Sequence, residues 1–171
     1  MMNKKSIPFL LVLALLASTV MAQKASKFGH VNAAELINLM PERKVAMAKM
    51  DTVTKEMEKQ LQEMAAEFRS KQEKYMAEAG KLTDVLKADK EVELQNLSTR
   101  IQNFQQQAEE SLQAKQQELM DPIITKAKKA IEQVAKENNY TYIFDTSTGA
   151  LLFWEESDNV INLVKKKLNL P

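Results

Sequence analysis

Two long stretches of helix-forming residues, bounded by two prolines and separated by a glycine, constrain the fold of this chain most. The midpoint between Pro41 and Pro122 falls just after Gly80, and apolar residues recur on both sides at spacings of three and four. A period near 3.5 residues is the pattern of a coiled-coil seam. The sequence therefore predicts an antiparallel helical hairpin, a coiled-coil arm over 41–122, with its tip near 80–84.

The predicted seam runs along both limbs of the arm, each about 55 to 60 Å long at the rise of an α-helix. A hairpin this long cannot bury both faces of its helices, so one flank stays exposed. The outgoing limb contributes Met47, Met50, Met57, Leu61, Met64, Phe68, Tyr75 and Leu82, and the return limb Leu94, Leu97, Ile101, Phe104, Ala108, Leu112 and Leu119.

The first 22 residues have the organisation of a secretory signal peptide. Lys4 and Lys5 precede an apolar run over 7–20, which ends in Val20-Met21-Ala22. This run is shorter than the roughly 20 residues that span a bilayer. We therefore expect residues 1–22 to be removed after Ala22.

Composition argues against most enzyme chemistry. The chain has no Cys, one His and three Gly, which leaves no disulfide, thiolate zinc site, His-pair metal site or Gly-rich phosphate loop. Asp145 and the pair Glu155-Glu156 have no positioned base or metal ligand beside them. We expect no catalytic residue, no metal, no bound cofactor and no enzyme activity.

Charge is balanced in the mature chain. Without Lys4 and Lys5, 22 basic residues face 23 acidic ones. A protein that binds nucleic acid through its phosphates needs a basic surface, so nucleic acid is not a predicted partner.

The two chain ends together carry a conventional core. Residues 23–40 and 123–171 hold six aromatic residues, against three in the arm. Their patterns predict strands near 27–31, 140–145 and 150–154, the last two as a hairpin, and a final helix from Ser157 or Asp158. The fold class is α+β, a discontinuous β-rich body with one helical-hairpin arm.

Three short strands would leave sheet edges open, which a barrel closed between identical subunits would cover. The predicted core of this body and of its oligomer consists of Phe28, Val31, Tyr140, Tyr142, Phe144, Leu152 and Trp154.

The order of these parts resembles the Skp (OmpH-like) family of periplasmic chaperones. The resemblance is carried by Gly29-His30-Val31-Asn32, Met40-Pro41-Glu42, the Gln- and Glu-rich limb around 101–107, and the strand over 139–145. It implies a homotrimer with three arms around a cavity for unfolded outer-membrane proteins, working in the periplasm without ATP. The best-known members are strongly basic, whereas this mature chain is near neutral.

Within that resemblance, Val45, Met76 and Val85 are the candidate contacts for an unfolded client, or else scattered exposed apolar residues. The membrane surface and the outer-membrane assembly machinery are further candidate partners. The alternative function is a periplasmic coiled-coil adaptor, a structural spacer that docks onto a secretion or efflux assembly.

Overall fold

The computed structural model describes residues 26–171. The predicted signal peptide and its cleavage after Ala22 lie outside the described residues. In chain order the elements are β1 (Phe28–Val31), α1 (Ala33–Leu39), α2 (Pro41–Glu78), α3 (Asp84–Glu137), β2 (Tyr142–Asp145) and α4 (Ile161–Lys167), with short 3₁₀ turns at Ala79–Lys81, Thr146–Thr148 and Glu156–Asp158. The predicted α+β class, a long helical hairpin with a small β body, is confirmed.

The strands of the body come from opposite ends of the chain. β1 pairs in parallel with β2, with Phe28 opposite Tyr142 and Val31 opposite Asp145. On the other edge of β1, the His30 carbonyl accepts a 2.9 Å hydrogen bond from the Val160 amide. β1 therefore lies in the middle of the body and ties its late segments together.

One hydrophobic cluster holds the body to the base of the arm. Its members lie in β1, α1 and α4, in the ends of α2 and α3 nearest the body, and at the junctions before α2 and α4: Val31, Leu36, Met40, Ala46, Ile123, Ala127, Ala130, Val134, Val160 and Val164. Because α3 contributes to this cluster and also forms the return limb, the arm is a continuous extension of the body.

The predicted strand over 150–154 is wrong, because these residues form no strand. The Asp145 carboxylate accepts hydrogen bonds from the Ser147 amide at 2.9 Å, the Ser147 hydroxyl at 2.7 Å and the Ala33 amide at 3.1 Å. These bonds turn the chain into a 3₁₀ helix straight after β2 and stop a hairpin from forming.

Asp145 has a lowered pKa. Partial burial raises the pKa of this carboxyl, but the hydrogen bonds from Ser147 and Ala33 outweigh burial and hold it below the ordinary value of 3.8.

Two helix boundaries also differ from the prediction. α3 continues through Pro122 as one helix of 54 residues, because Ile123, Ala127 and Ala130 beyond the proline pack into the core. The last helix begins at Ile161, whose amide bonds to the Asn159 carboxamide oxygen at 3.0 Å, rather than near Ser157. Tertiary packing decides the first boundary, and a local side-chain cap marks the second.

Within residues 26–171, no helix is both long and apolar enough to cross a membrane.

Candidate functional site

The candidate site is the exposed surface of the arm. α2 has 38 residues and so extends about 57 Å. It packs along α3 through residues such as Leu61, Phe68, Leu97 and Phe104, of which only Leu97 is fully buried. Two helices in contact leave the outer face of each one open to a partner.

Polar side chains join the two limbs where apolar residues are missing from the seam. Lys71 bonds to Glu93, which also pairs with Lys90 at 3.0 Å, and the Tyr75 hydroxyl donates to Glu91 at 2.5 Å. The bond to Glu93 raises the pKa of Lys71, and the bonds from Lys71 and Lys90 lower the pKa of Glu93. These contacts fix the register of the limbs without burying charge.

A second ion pair lies at the base of the arm. Glu42, in the first turn of α2, pairs with Lys126 of α3, and the hydrogen bond from Lys126 lowers the pKa of Glu42. The carboxylate borders an apolar groove between the helices, lined by Val45, Leu119 and Pro122 among others. The base of the arm therefore combines an ion pair with a shallow apolar groove.

The tip is held by a helix cap. α2 ends in the 3₁₀ turn Ala79–Lys81, and the Thr83 hydroxyl accepts the Leu86 amide at 3.4 Å to begin α3. Such a cap satisfies a backbone donor that a helix start otherwise leaves free. The chain therefore reverses in a few residues.

All three candidate client contacts are exposed. Val45 is 56% exposed, Met76 68% and Val85 80%. Met76 and Val85 lie near the tip and Val45 lies at the base, so they do not form one patch. Their role in binding stays a prediction.

Sequence reasoning missed Val92, which is 58% exposed. It lies seven residues after Val85, which places both on the same face of α3. That spacing on the face opposite the seam was the available signal. Met47, predicted in the seam, is instead half-exposed.

The body carries an aromatic face on its small sheet. Phe28 stacks on Tyr142 and Phe144 with ring centroids 6.0 and 6.4 Å apart, and all three side chains are exposed. An exposed aromatic cluster of this kind marks a contact surface more often than a free one.

The segment after β2 adds further exposed apolar side chains. Leu152 is 98% exposed, and Phe153 and Trp154 are also exposed. The His30 ring is buried, lies 5.7 Å from the Trp154 ring, and its Nε2 is 2.9 Å from the Glu155 carbonyl oxygen. His30 thus anchors this segment to β1.

The predicted body-core residues divide into two groups. Val31 is buried, and Tyr140 is partly buried against the core with the Lys27 ammonium 4.0 Å from its ring centroid. Within the single chain the others are exposed and lie outside the core: Phe28, Tyr142, Phe144, Leu152 and Trp154. Their role between protomers stays a prediction.

Among residues 26–171, no group of three or more His, Asp or Glu side chains is arranged to hold a metal ion.

Comparisons with known proteins agree with this architecture. The profile of the family described as Outer membrane protein (OmpH-like) matches residues 27–168. The chain is 27% identical over 140 residues to the chaperone protein Skp of Vibrio cholerae, covering 80% of this chain and 82% of that one.

A crystal structure described as an OmpH-like outer membrane chaperone, from Caulobacter crescentus, superposes with a TM-score of 0.72 at 13% identity, over 84% of each chain. This likeness supports the fold. With the profile match across nearly all described residues, it follows that the chain belongs to the OmpH-like family to which its resemblance pointed.

Proposed function

We propose that this protein is a periplasmic holdase chaperone. As a homotrimer it binds unfolded outer-membrane β-barrel proteins between its three arms and prevents their aggregation before membrane assembly, without ATP. Family membership and the name of the Vibrio cholerae relative support this proposal. The signal-peptide pattern over 1–22 supports export.

The observation that carries the proposal is the long arm with its outer faces exposed. Exposed apolar residues, Met76, Val85 and Val92, stand near its tip. Weak contacts of this kind, repeated over three arms around one client, add through effective concentration into tight overall capture. Each contact still releases quickly, which suits a client that must leave again.

The aromatic face of the body supports the trimer. β2 pairs only with β1 among the described strands, so its second edge is open beside the exposed Phe28, Tyr142 and Phe144. Contact between identical protomers would cover both the edge and the rings.

Release in this mechanism comes from the client folding or passing to an acceptor, and the protein itself catalyses no reaction. The membrane surface and the assembly machinery are the candidate acceptors.

Light scattering tests the proposal directly. The mature protein is measured alone and after a urea-unfolded outer-membrane β-barrel protein is diluted into it, without nucleotide. We expect a trimer that keeps the client soluble in a complex of defined mass. Aggregation of the client at the rate seen without the protein would contradict the proposal and favour an adaptor that binds one folded partner.

A further inference from the structure

The outer face of α3 carries a stripe of exposed side chains with an unusual composition. Starting at Val85, positions three or four residues apart lie on one face of the helix. They are Val85, Ala88, Val92, Gln95, Thr99, Gln102, Gln106, Glu110, Gln113 and Gln117, and all ten are exposed. The stripe begins apolar near the tip and continues as amides toward the body.

The amide part of this stripe is almost free of charge. Glu110 is its one charged residue, and the Gln106 carboxamide donates to it at 3.2 Å. The side chains of Gln95, Gln102 and Gln113 make no hydrogen bond to any other residue in 26–171. Their donors and acceptors are therefore available to a partner.

The outer face of α2 is different. Its exposed positions include Lys55, which pairs with Asp51 at 2.6 Å, and Lys59, which pairs with Glu63 at 3.8 Å. Charges paired along one helix are a solvated face. Because paired charges suffice to keep the outer face of α2 soluble, solubility alone does not explain why the outer face of α3 carries amides instead.

A carboxamide offers two N–H donors and a carbonyl acceptor, the same groups that a peptide bond presents. An unfolded polypeptide exposes both its peptide groups and its apolar side chains to solvent. Main-chain groups are the same in every client, whereas charged side chains vary. A neutral amide stripe joined to exposed valines thus matches an unfolded chain of any sequence.

We propose that this stripe on α3 binds the main chain of the unfolded client through Gln95, Gln102 and Gln113, while Val85 and Val92 contact apolar side chains. This assignment rests on the proposed holdase function and names the chemistry that the arm recognises. It gives the arm a way to bind many sequences without strong charge.

The test compares two triple variants of the full mature chain. The stripe variant is Gln95→Ala, Gln102→Ala and Gln113→Ala. The control variant, Gln105→Ala, Gln107→Ala and Gln116→Ala, removes three exposed amides from the flanks of the same helix. Alanine favours helix, so both variants keep the arm, which circular dichroism verifies.

The probe is a fluorescent peptide taken from one strand hairpin of an outer-membrane protein, made with and without N-methylation at alternate residues. Methylation removes backbone donors and leaves the side chains unchanged. We expect the stripe variant to bind the unmethylated peptide about fivefold more weakly or worse, and the control within about twofold of wild type. Wild type and control should prefer the unmethylated peptide, and the stripe variant should lose that preference.

Equal binding of both peptides by wild type would overturn the assignment, as would a stripe variant that keeps wild-type affinity and preference. Failure of wild type to bind either peptide would overturn the assignment, and failure both to bind the peptides and to hold an unfolded client would overturn the proposed function as well. Preference for the unmethylated peptide without suppression of aggregation would leave the stripe in place and contradict only the holdase function.

Discussion

The body and the arm of this protein differ in how much they bury. Ten buried residues form one cluster at the body and the arm base, whereas between 47 and 122 Leu97 is the only buried side chain. The body thus packs like a small globular core, and the arm is two helices in contact along a single seam. Because the arm is so exposed, it offers a large surface to partners, but few buried contacts stabilise it.

This difference predicts where the molecule opens first. Local opening occurs where few apolar contacts are made. The arm can therefore loosen while the body stays closed.

The largest expected effect comes from the body. Leu36 is fully buried in the cluster, so Leu36→Ala should lower the free energy of unfolding by about 2–5 kcal/mol through lost transfer energy and a cavity. Urea denaturation of variant and wild type at one protein concentration measures it, since the stability of the proposed trimer would depend on concentration.

Leu97→Ala is the matched comparison in the arm. We expect a smaller loss of stability and faster amide exchange along α2 and α3 beyond the base, with the body still protected. Equal losses in the two variants, with exchange rising everywhere, would mean that arm and body unfold as one unit.

Two glycines sharpen the same contrast. A Cβ on Gly29 would lie 2.9 Å from Tyr140 Cε1 and 3.0 Å from Val160 Cγ1. A Cβ on Gly80 would have no neighbouring atom within 4 Å. Gly29→Ala should therefore cost about 1–3 kcal/mol by overpacking the body.

Gly80→Ala serves as the control for this prediction. It should be neutral or slightly stabilising, because alanine restricts the unfolded chain at a site that has room for it. Thermal melts of both variants check the pair. A Gly29→Ala variant that melts at the wild-type temperature would show that Tyr140 can shift away from β1 without loss of stability.

The sequence allowed the arm to be predicted well because its signals are local. Helical periodicity and a single glycine between two limbs are properties of neighbouring residues. Val31 in the core and the exposure of Val85 also followed from such patterns.

What could not be predicted depends on contacts between distant residues. The partner of β2 is β1, more than 100 residues earlier in the chain. The alternation of apolar and polar residues within 140–154 cannot reveal this pairing. The Ala33 amide on Asp145 is an equally distant contact. Likewise, Pro122 sits inside a helix because residues beyond it are buried in the body. The glutamines of the stripe can be read from the sequence, but the structure was needed to show their exposure and that Gln95, Gln102 and Gln113 make no side-chain hydrogen bond within 26–171.

We expect a smaller effect on stability from the ion pairs within the arm. The pKa of Glu93 lies below its ordinary value of 4.5 because Lys71 and Lys90 bond to it. The stabilisation is therefore fully present above the unfolded pKa, near 4.5, and is lost as pH falls through the lower folded value.

Glu93→Gln removes this contribution while keeping the size of the side chain. Wild type should melt slightly higher than the variant at pH 7, and the difference, followed by circular dichroism, should shrink as the pH is lowered below 4.5 through the folded pKa of Glu93. Lys71 and Glu93 are only partly buried, so the difference in melting temperature should be small. A difference that does not shrink on acidification would show that Glu93 acts through packing and not through its charge.

The smallest expected effect concerns salt, and it separates this arm from a basic one. From 41 to 83 the outgoing limb has nine basic and eight acidic residues, and from 84 to 122 the return limb has four and eight. No large surface of one sign is available to attract a client, and exposed charges are screened by salt. The affinity for an unfolded outer-membrane protein should change by less than about tenfold between roughly 50 mM and 300 mM salt.

A charged version of the stripe calibrates that measurement. Gln95→Lys, Gln102→Lys and Gln113→Lys place three cations on the outer face of α3, and binding of an acidic client by this variant should weaken steeply with salt. If wild type already loses more than tenfold over the same range, charged side chains dominate capture.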